Sequence, residues 1–200
     1  MVEKLFSMSP WEGVAVVLAI AYLLLAAREH PACWGCALIS TVIYTALFWN
    51  VSLLMESLLN VYYMVMAVYG WWLWQRGGVA REGLVITRWR PRRHLVVIAA
   101  VLAAAAVTGA LLSRHTAAAW PYVDSFTTWG AIVTTWMVAR KVLENWIYWF
   151  VIDGISIPLY LDRGLYLTAG LFAVYLVIVV FGFVQWRREY AAGRGAAVPA

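Results

Sequence analysis

Apolar residues along this chain gather into seven long runs separated by short polar gaps. The runs predict helices at roughly Trp11–Ala27, Cys33–Trp49, Leu53–Gln75, Leu95–Ser113, Tyr122–Ala139, Leu143–Leu161 and Gly164–Trp186. A bilayer core of about 30 Å requires about 20 helical residues, and each run is near that length. The first run reads as a retained span rather than a cleaved leader. Leu25-Ala26-Ala27 loosely resembles a small-residue cleavage site, but the segment ahead of it carries Glu3 beside Lys4 and no net charge.

Composition agrees with this pattern. The chain has 200 residues, 64% of them apolar and 12% charged, with a mean hydropathy of +0.78. A soluble domain carries roughly 45–50% apolar and about 25% charged residues. A soluble enzyme, a nucleic-acid binder and a disordered regulator are therefore excluded, and the fold expected is all-α and polytopic. The net charge of +5 sits in the gaps between runs, where the positive-inside rule accounts for it. With the N-terminus outside, the inner face receives Arg28, Arg76, Arg81, Arg88, Arg90, Arg92, Arg93, Arg140, Lys141, Arg187, Arg188 and Arg194. Only Lys4, Arg114 and Arg163 remain outside. The expected orientation is N-out and C-in, and the Arg-rich stretch from Arg76 to His94 reads as an anchor to anionic lipid.

Sliding the chain against itself by 112 residues, without a gap, reveals a repeat. Arg28 falls on Arg140, Trp34 on Trp146, Tyr63 on Tyr175, Gly70 on Gly182, Trp74 on Trp186 and Arg76 on Arg188. Coincident Trp, Gly and Arg are informative where apolar matches are cheap. The expectation is a three-helix unit present twice, spans 1–3 and 5–7, with span 4 as the linker that lets the second copy enter from the same face. The divisions expected are 1–76, 77–114 (basic loop and linker helix) and 115–200 with its basic tail. Parallel repeats of this kind occur in SWEET-type carriers, with substrate held between the halves. A duplication that serves only structure is the alternative.

Polar residues inside the spans share helix faces. At 100° per residue, Asn145, Trp149, Asp153, Ser156 and Tyr160 occupy an arc of about 80°, with Trp146 at its border. Glu56, Asn60, Tyr63, Ala67, Gly70 and Trp74 occupy a second such face. Asp124, Thr128, Ala131 and Thr135 form a third. Lipid is the least tolerable neighbour for any of them, so a common cavity is expected. Asp153 stands near mid-span, where a charged carboxylate costs about 2.5–3.5 kcal/mol, and no Lys or Arg lies at its depth. A protonated Asp153 bonded to a backbone carbonyl is the bland alternative. Glu56 and Asp124 lie nearer the outer ends, within reach of water. Trp146, Tyr148 and Trp149 suit either an interfacial belt or a stacking platform for a flat, positively charged ring.

The stretch E-N-W-I-Y-W-F-V-I-D-G-I-S-I-P-L-Y, Glu144 to Tyr160, resembles the N-W-x-x-W span of the PnuC nicotinamide riboside transporters. V-Y-G-W-W-L-W-Q, Val68 to Gln75, and D-S-F-T-T-W, Asp124 to Trp129, are similar to the same family. The resemblance covers nearly the whole chain and includes the three-plus-one-plus-three order of spans. It implies facilitated diffusion of nicotinamide riboside across a bacterial inner membrane, trapping by a cytoplasmic kinase, and homotrimers. It places Asn145, Trp146 and Trp149 against substrate. Asn60 stands where many relatives are expected to carry glutamine. The substrate-binding set expected is therefore Asn145, Trp146, Trp149, Asp153, Asn60, Tyr63, Glu56, Asp124, Thr128 and Ser156. A related carrier for thiamine or riboflavin remains open.

Other signals point elsewhere. Cys33-Trp34-Gly35-Cys36 opens an apolar span, whereas a redox dithiol needs an exposed thiolate, so it reads as packing. His30, His94 and His115 are expected in loops, which leaves no metal site and no membrane-embedded base. An intramembrane enzyme, a phosphate loop and a bound cofactor are not expected.

Overall fold

The computed structural model describes residues 10–50, 54–76, 84–116, 120–162 and 166–194. For Phe48, Asn50, Leu54–Ser57, Leu167 and Arg194 it describes the backbone alone. The side chain of Glu56 and the residues Lys4, Arg81 and Arg163 thus lie outside the described residues. Seven helices fill the rest: α1 (Pro10–Ala27), α2 (Ala32–Asn50), α3 (Leu54–Arg76), α4 (Pro91–His115), α5 (Pro121–Ala139), α6 (Asn145–Asp162) and α7 (Tyr166–Glu189). A wider turn, Tyr190–Arg194, follows α7. Among the described residues there is no strand, only one parallel bridge between Thr87 and Val142.

The helices follow the expected runs, with instructive shifts at their ends. α4 begins at Pro91, four residues ahead of its apolar run. Proline suits the first helical turn because it has no N–H to leave unpaired, so the helix extends through Arg92, Arg93 and His94. His94 consequently belongs to the first turn of α4 and His115 is its last residue, so neither lies in a loop as hydropathy suggested. α6 begins at Asn145 rather than Leu143, because the preceding residues turn a corner.

By length and mean hydropathy alone, three described segments suffice to cross a bilayer: Pro10–Ala27 at 1.9, Pro91–His115 at 2.7 and Thr168–Gly193 at 2.2. α3, α5 and α6 fall short because their polar residues lower the average. Among them Asn60, Ser125, Thr134, Thr135, Asn145, Asp153 and Ser156 are buried within the protein. On α4 the outer face is apolar, with Leu95, Val96, Ile98, Leu102, Val107 and Leu111 exposed. Several polar side chains of the spans are thus buried while large apolar ones are exposed, as a bilayer demands.

Packing follows a regular scheme. α2 packs on α1 and α3, α6 packs on α5 and α7, and α4 packs on α5. Cross-contacts run between α1 and α7 and between α3 and α5. Two close fits recur at a separation of 112 residues. The Trp34 ring lies in the space a Cβ at Gly70 would take, and the Trp146 ring does the same at Gly182. The tryptophans then meet edge-on: Trp34 with Trp74 and Trp146 with Trp186, both pairs at 5.4 Å between centroids. Trp74 and Trp186 approach each other at 6.1 Å. These four rings form the centre of the main core, with Cys33, Met66, Val138, Leu143 and Val179 around them.

Candidate functional site

α6 carries most of the expected site. Its start is fixed from outside the helix. The segment before α4 runs along the α5–α6 corner, where the Thr87 N–H donates to Lys141 O at 2.9 Å and the Leu143 N–H donates to Thr87 O at 2.8 Å. The buried Glu144 carboxylate accepts from Arg88 Nε at 2.9 Å and from the Trp89 backbone N–H at 3.3 Å. That bond and the carboxylate charge raise the Arg88 pKa further. His94 Nδ1 pairs with Tyr148 Oη at 2.9 Å, which ties α4 to the first turn of α6.

Asn145 follows directly and is fully buried. Its Nδ2 donates to Val142 O at 2.7 Å, but its Oδ1 has no partner among the described residues. Trp146 is 1% exposed, and its Nε1–H is likewise unpartnered. An acceptor and a donor thus stand buried and unsatisfied on adjacent residues. Leaving such groups unmet costs roughly 1–3 kcal/mol each, which a polar ligand would offset. Trp149, one turn on, is half-buried against the tryptophan core.

Asp153 lies two turns beyond Asn145, about 12 Å along the helix axis. It is 4% exposed and forms no ion pair with any described residue. Tyr63 of α3 and Tyr175 of α7 both lie within electrostatic reach of its carboxylate, and Tyr160 is near both. Tyr160 stacks obliquely on Phe172 at 4.9 Å, and Phe172 on Tyr175 at 5.5 Å. Tyr62, beside Tyr63 at 5.8 Å between ring centroids, donates through its hydroxyl to Ile132 O at 2.8 Å, joining α3 to α5.

The structure therefore gathers Asp153 and Tyr63, and sets Asn145, Trp146 and Trp149 on the same helix nearer its start. Ser156 is buried, but its hydroxyl is bonded to Ile152 O at 2.8 Å within the helix. Asn60 is buried in α3. Asp124 and Thr128 are half-buried on α5, and no contact joins either of them to Asp153 among those described. A groove of about 280 Å³ is lined by Val42, Thr45, Ala46, Trp49 and Met64 of α2 and α3, and it touches none of the expected residues. Tyr175, which the 112-residue offset maps onto Tyr63, is not among the expected residues, yet the fold brings it within electrostatic reach of Asp153. No cluster of metal-ligating side chains occurs among the described residues.

The chain matches the family described as nicotinamide mononucleotide transporter over residues 9–188. It is 30% identical to the riboflavin/roseoflavin transporter RibM of Streptomyces davaonensis over 62% of this chain, a match that spans 59% of that protein. It is 22% identical to the nicotinamide riboside transporter PnuC of Escherichia coli over 90% of this chain and 86% of that protein. Its fold is similar to the crystal structure of the vitamin B3 transporter PnuC, with a TM-score of 0.73 and 23% identity over 96% of this chain and 86% of that one. With its inward-facing polar helices and a match over nearly its full length, the chain is a multi-pass membrane protein and belongs to the nicotinamide mononucleotide transporter family.

Proposed function

We propose that this protein is a carrier that takes up nicotinamide riboside by facilitated diffusion. The observation that carries this reading is Asp153, a buried carboxylate with aromatic neighbours and no cationic partner among the described residues. A carboxylate at this depth is tolerated where it meets a counter-charge or a wet cavity. The pyridinium of nicotinamide riboside supplies such a charge on a flat ring, which stacking with Trp149 or the tyrosines favours by about 0.5–2 kcal/mol. The unsatisfied Asn145 Oδ1 and Trp146 Nε1 are suited to hydroxyls or a carboxamide. Asn60, Tyr63, Glu56, Asp124, Thr128 and Ser156 complete the proposed lining.

Duplicated three-helix units joined by α4 are part of the same reading. They are supported by the matched fits at Gly70 and Gly182 and by cross-contacts of α1 with α7 and of α3 with α5. Rocking of one unit against the other would expose the site to each side in turn. The arginine distribution favours an orientation with the N-terminus out and the C-terminus in, and the family likeness favours a cell inner membrane. A cytoplasmic kinase that phosphorylates the product would make uptake one-way, and a homotrimer is the expected assembly. The relatives are transporters, which supports a non-enzymatic role.

The similarity to RibM favours a second reading, a carrier for riboflavin. Its isoalloxazine is neutral at pH 7 and leaves Asp153 without a counter-charge. Purified protein in liposomes should take up labelled nicotinamide riboside without ATP or an ion gradient. Calorimetric titration with nicotinamide riboside, thiamine and riboflavin separates the readings: a response to riboflavin alone overturns the first.

A further inference from the structure

The corners that follow α1 and α5 are built alike. In the first, Glu29 N–H donates to Ala26 O at 3.0 Å and His30 N–H to Leu25 O at 2.9 Å. In the second, Lys141 N–H donates to Val138 O at 2.9 Å and Val142 N–H to Met137 O at 3.0 Å. Every residue in the second set is 112 positions beyond its counterpart. This is the hydrogen-bond pattern of a helix ending on a left-handed residue, a position that glycine normally takes. Here the residues are Glu29, with φ 55°, and Lys141, with φ 50°. Both adopt a backbone conformation that a residue with a Cβ disfavours, and such outliers concentrate where a function requires them.

What the two charged residues do is meet each other. Lys141 Nζ lies 2.8 Å from Glu29 Oε2 and sits over the Trp74 ring, 4.6 Å from its centroid. The contacts beside the pair also cross between corners. Trp74 Nε1–H donates to Ala139 O at 3.1 Å, and Trp186 Nε1–H donates to Ala26 O at 3.0 Å. The end regions of α1, α3, α5 and α7 are thereby closed over by one ion pair and two indoles. The Lys141 side chain is only 9% exposed, so the ammonium is held by its partner and the ring rather than by water.

We propose that the Glu29–Lys141 pair, seated on Trp74, is a gate, and that passage at this end of the carrier requires the two side chains to part. The proposal rests on the carrier reading given above. Its chemistry is suited to a reversible lock. A partly buried pair with cation–π support holds firmly, yet water entering the gap solvates both charges. Two strained corners then come apart as units rather than by unravelling a helix.

Cys33 provides the reporter. It is fully buried in the first turn of α2, within electrostatic reach of Lys141. In full-length protein carrying Cys36→Ala, the rate of Cys33 alkylation by a water-soluble maleimide reads how often this end opens. Glu29→Gly suits the left-handed backbone and spares the fold while removing the carboxylate, and Lys141→Gln removes the ammonium. Each should raise the alkylation rate about tenfold, near 1.4 kcal/mol, and Glu29→Gln/Lys141→Gln should raise it no further than one change. Arg140→Ala, on the same corner but outside the pair, should leave it unchanged. Protection equal to the parent protein in both single variants, or an equal rise with Arg140→Ala, overturns the gate. Binding of nicotinamide riboside to the parent protein is titrated separately: its absence overturns the carrier reading, whereas labelling judges the ion pair.

Discussion

Trp146 lies so close to Gly182 that a Cβ placed there would meet its ring at 2.6 Å. One α6 residue thus depends on the absence of a side chain on α7. The indole is rigid and sealed against Trp186, so it cannot give way as the end of a flexible side chain would.

Gly182→Ala should accordingly destabilise the protein by about 1–3 kcal/mol, the usual cost of overfilling a packed core. Thermal unfolding in detergent measures it. Gly13→Ala on α1, where a Cβ would meet nothing within 4 Å, should leave the midpoint nearly unmoved. A similar drop for both would mean that helix glycines matter here for some reason other than the indole.

Asp153→Asn removes the charge and keeps the shape. Binding of nicotinamide riboside should weaken more than tenfold, at least about 1.4 kcal/mol, in calorimetric titration. The folded protein should be no less stable, because the carboxylate forms no ion pair with any described residue. Unchanged affinity would separate Asp153 from the substrate.

Asn145→Ala and Trp146→Ala should each weaken binding by more than tenfold, again about 1.4 kcal/mol. Arg90→Ala, ahead of α4 and exposed, should leave affinity alone. Equal losses at all three positions, or a Trp146→Ala protein whose thermal midpoint falls well below that of the parent, would indicate damage to the fold rather than loss of site contacts.

Glu144 and Arg88 should respond unequally although they bond to each other. Arg88→Ala removes a side chain that is 58% exposed and leaves the buried Glu144 carboxylate the Trp89 N–H as a donor, so it should cost less, about 1 kcal/mol. Glu144→Ala also strips the buried Trp89 N–H of its acceptor, and that should cost about 1–3 kcal/mol. Chemical unfolding of the two variants compares them directly.

Hydropathy runs determined the seven helices because a bilayer sets helix length through composition alone. The Trp, Gly and Arg coincidences exposed a 112-residue offset, and the polar arcs marked the face of α6 that holds Asp153. Local chemistry carries that much. Only tertiary structure decided that Tyr175 lies within electrostatic reach of Asp153, because the two stand on different helices and no helical period relates them. Only tertiary structure paired Glu29 with Lys141, since their meeting depends on how the corners after α1 and α5 approach. It likewise drew His94 into α4 and onto Tyr148, as a proline start and a cross-helix hydrogen bond outweighed the polarity that marks a loop. Periodicity assigns a residue to a face, but the neighbour that face meets is set by packing between segments far apart in the chain.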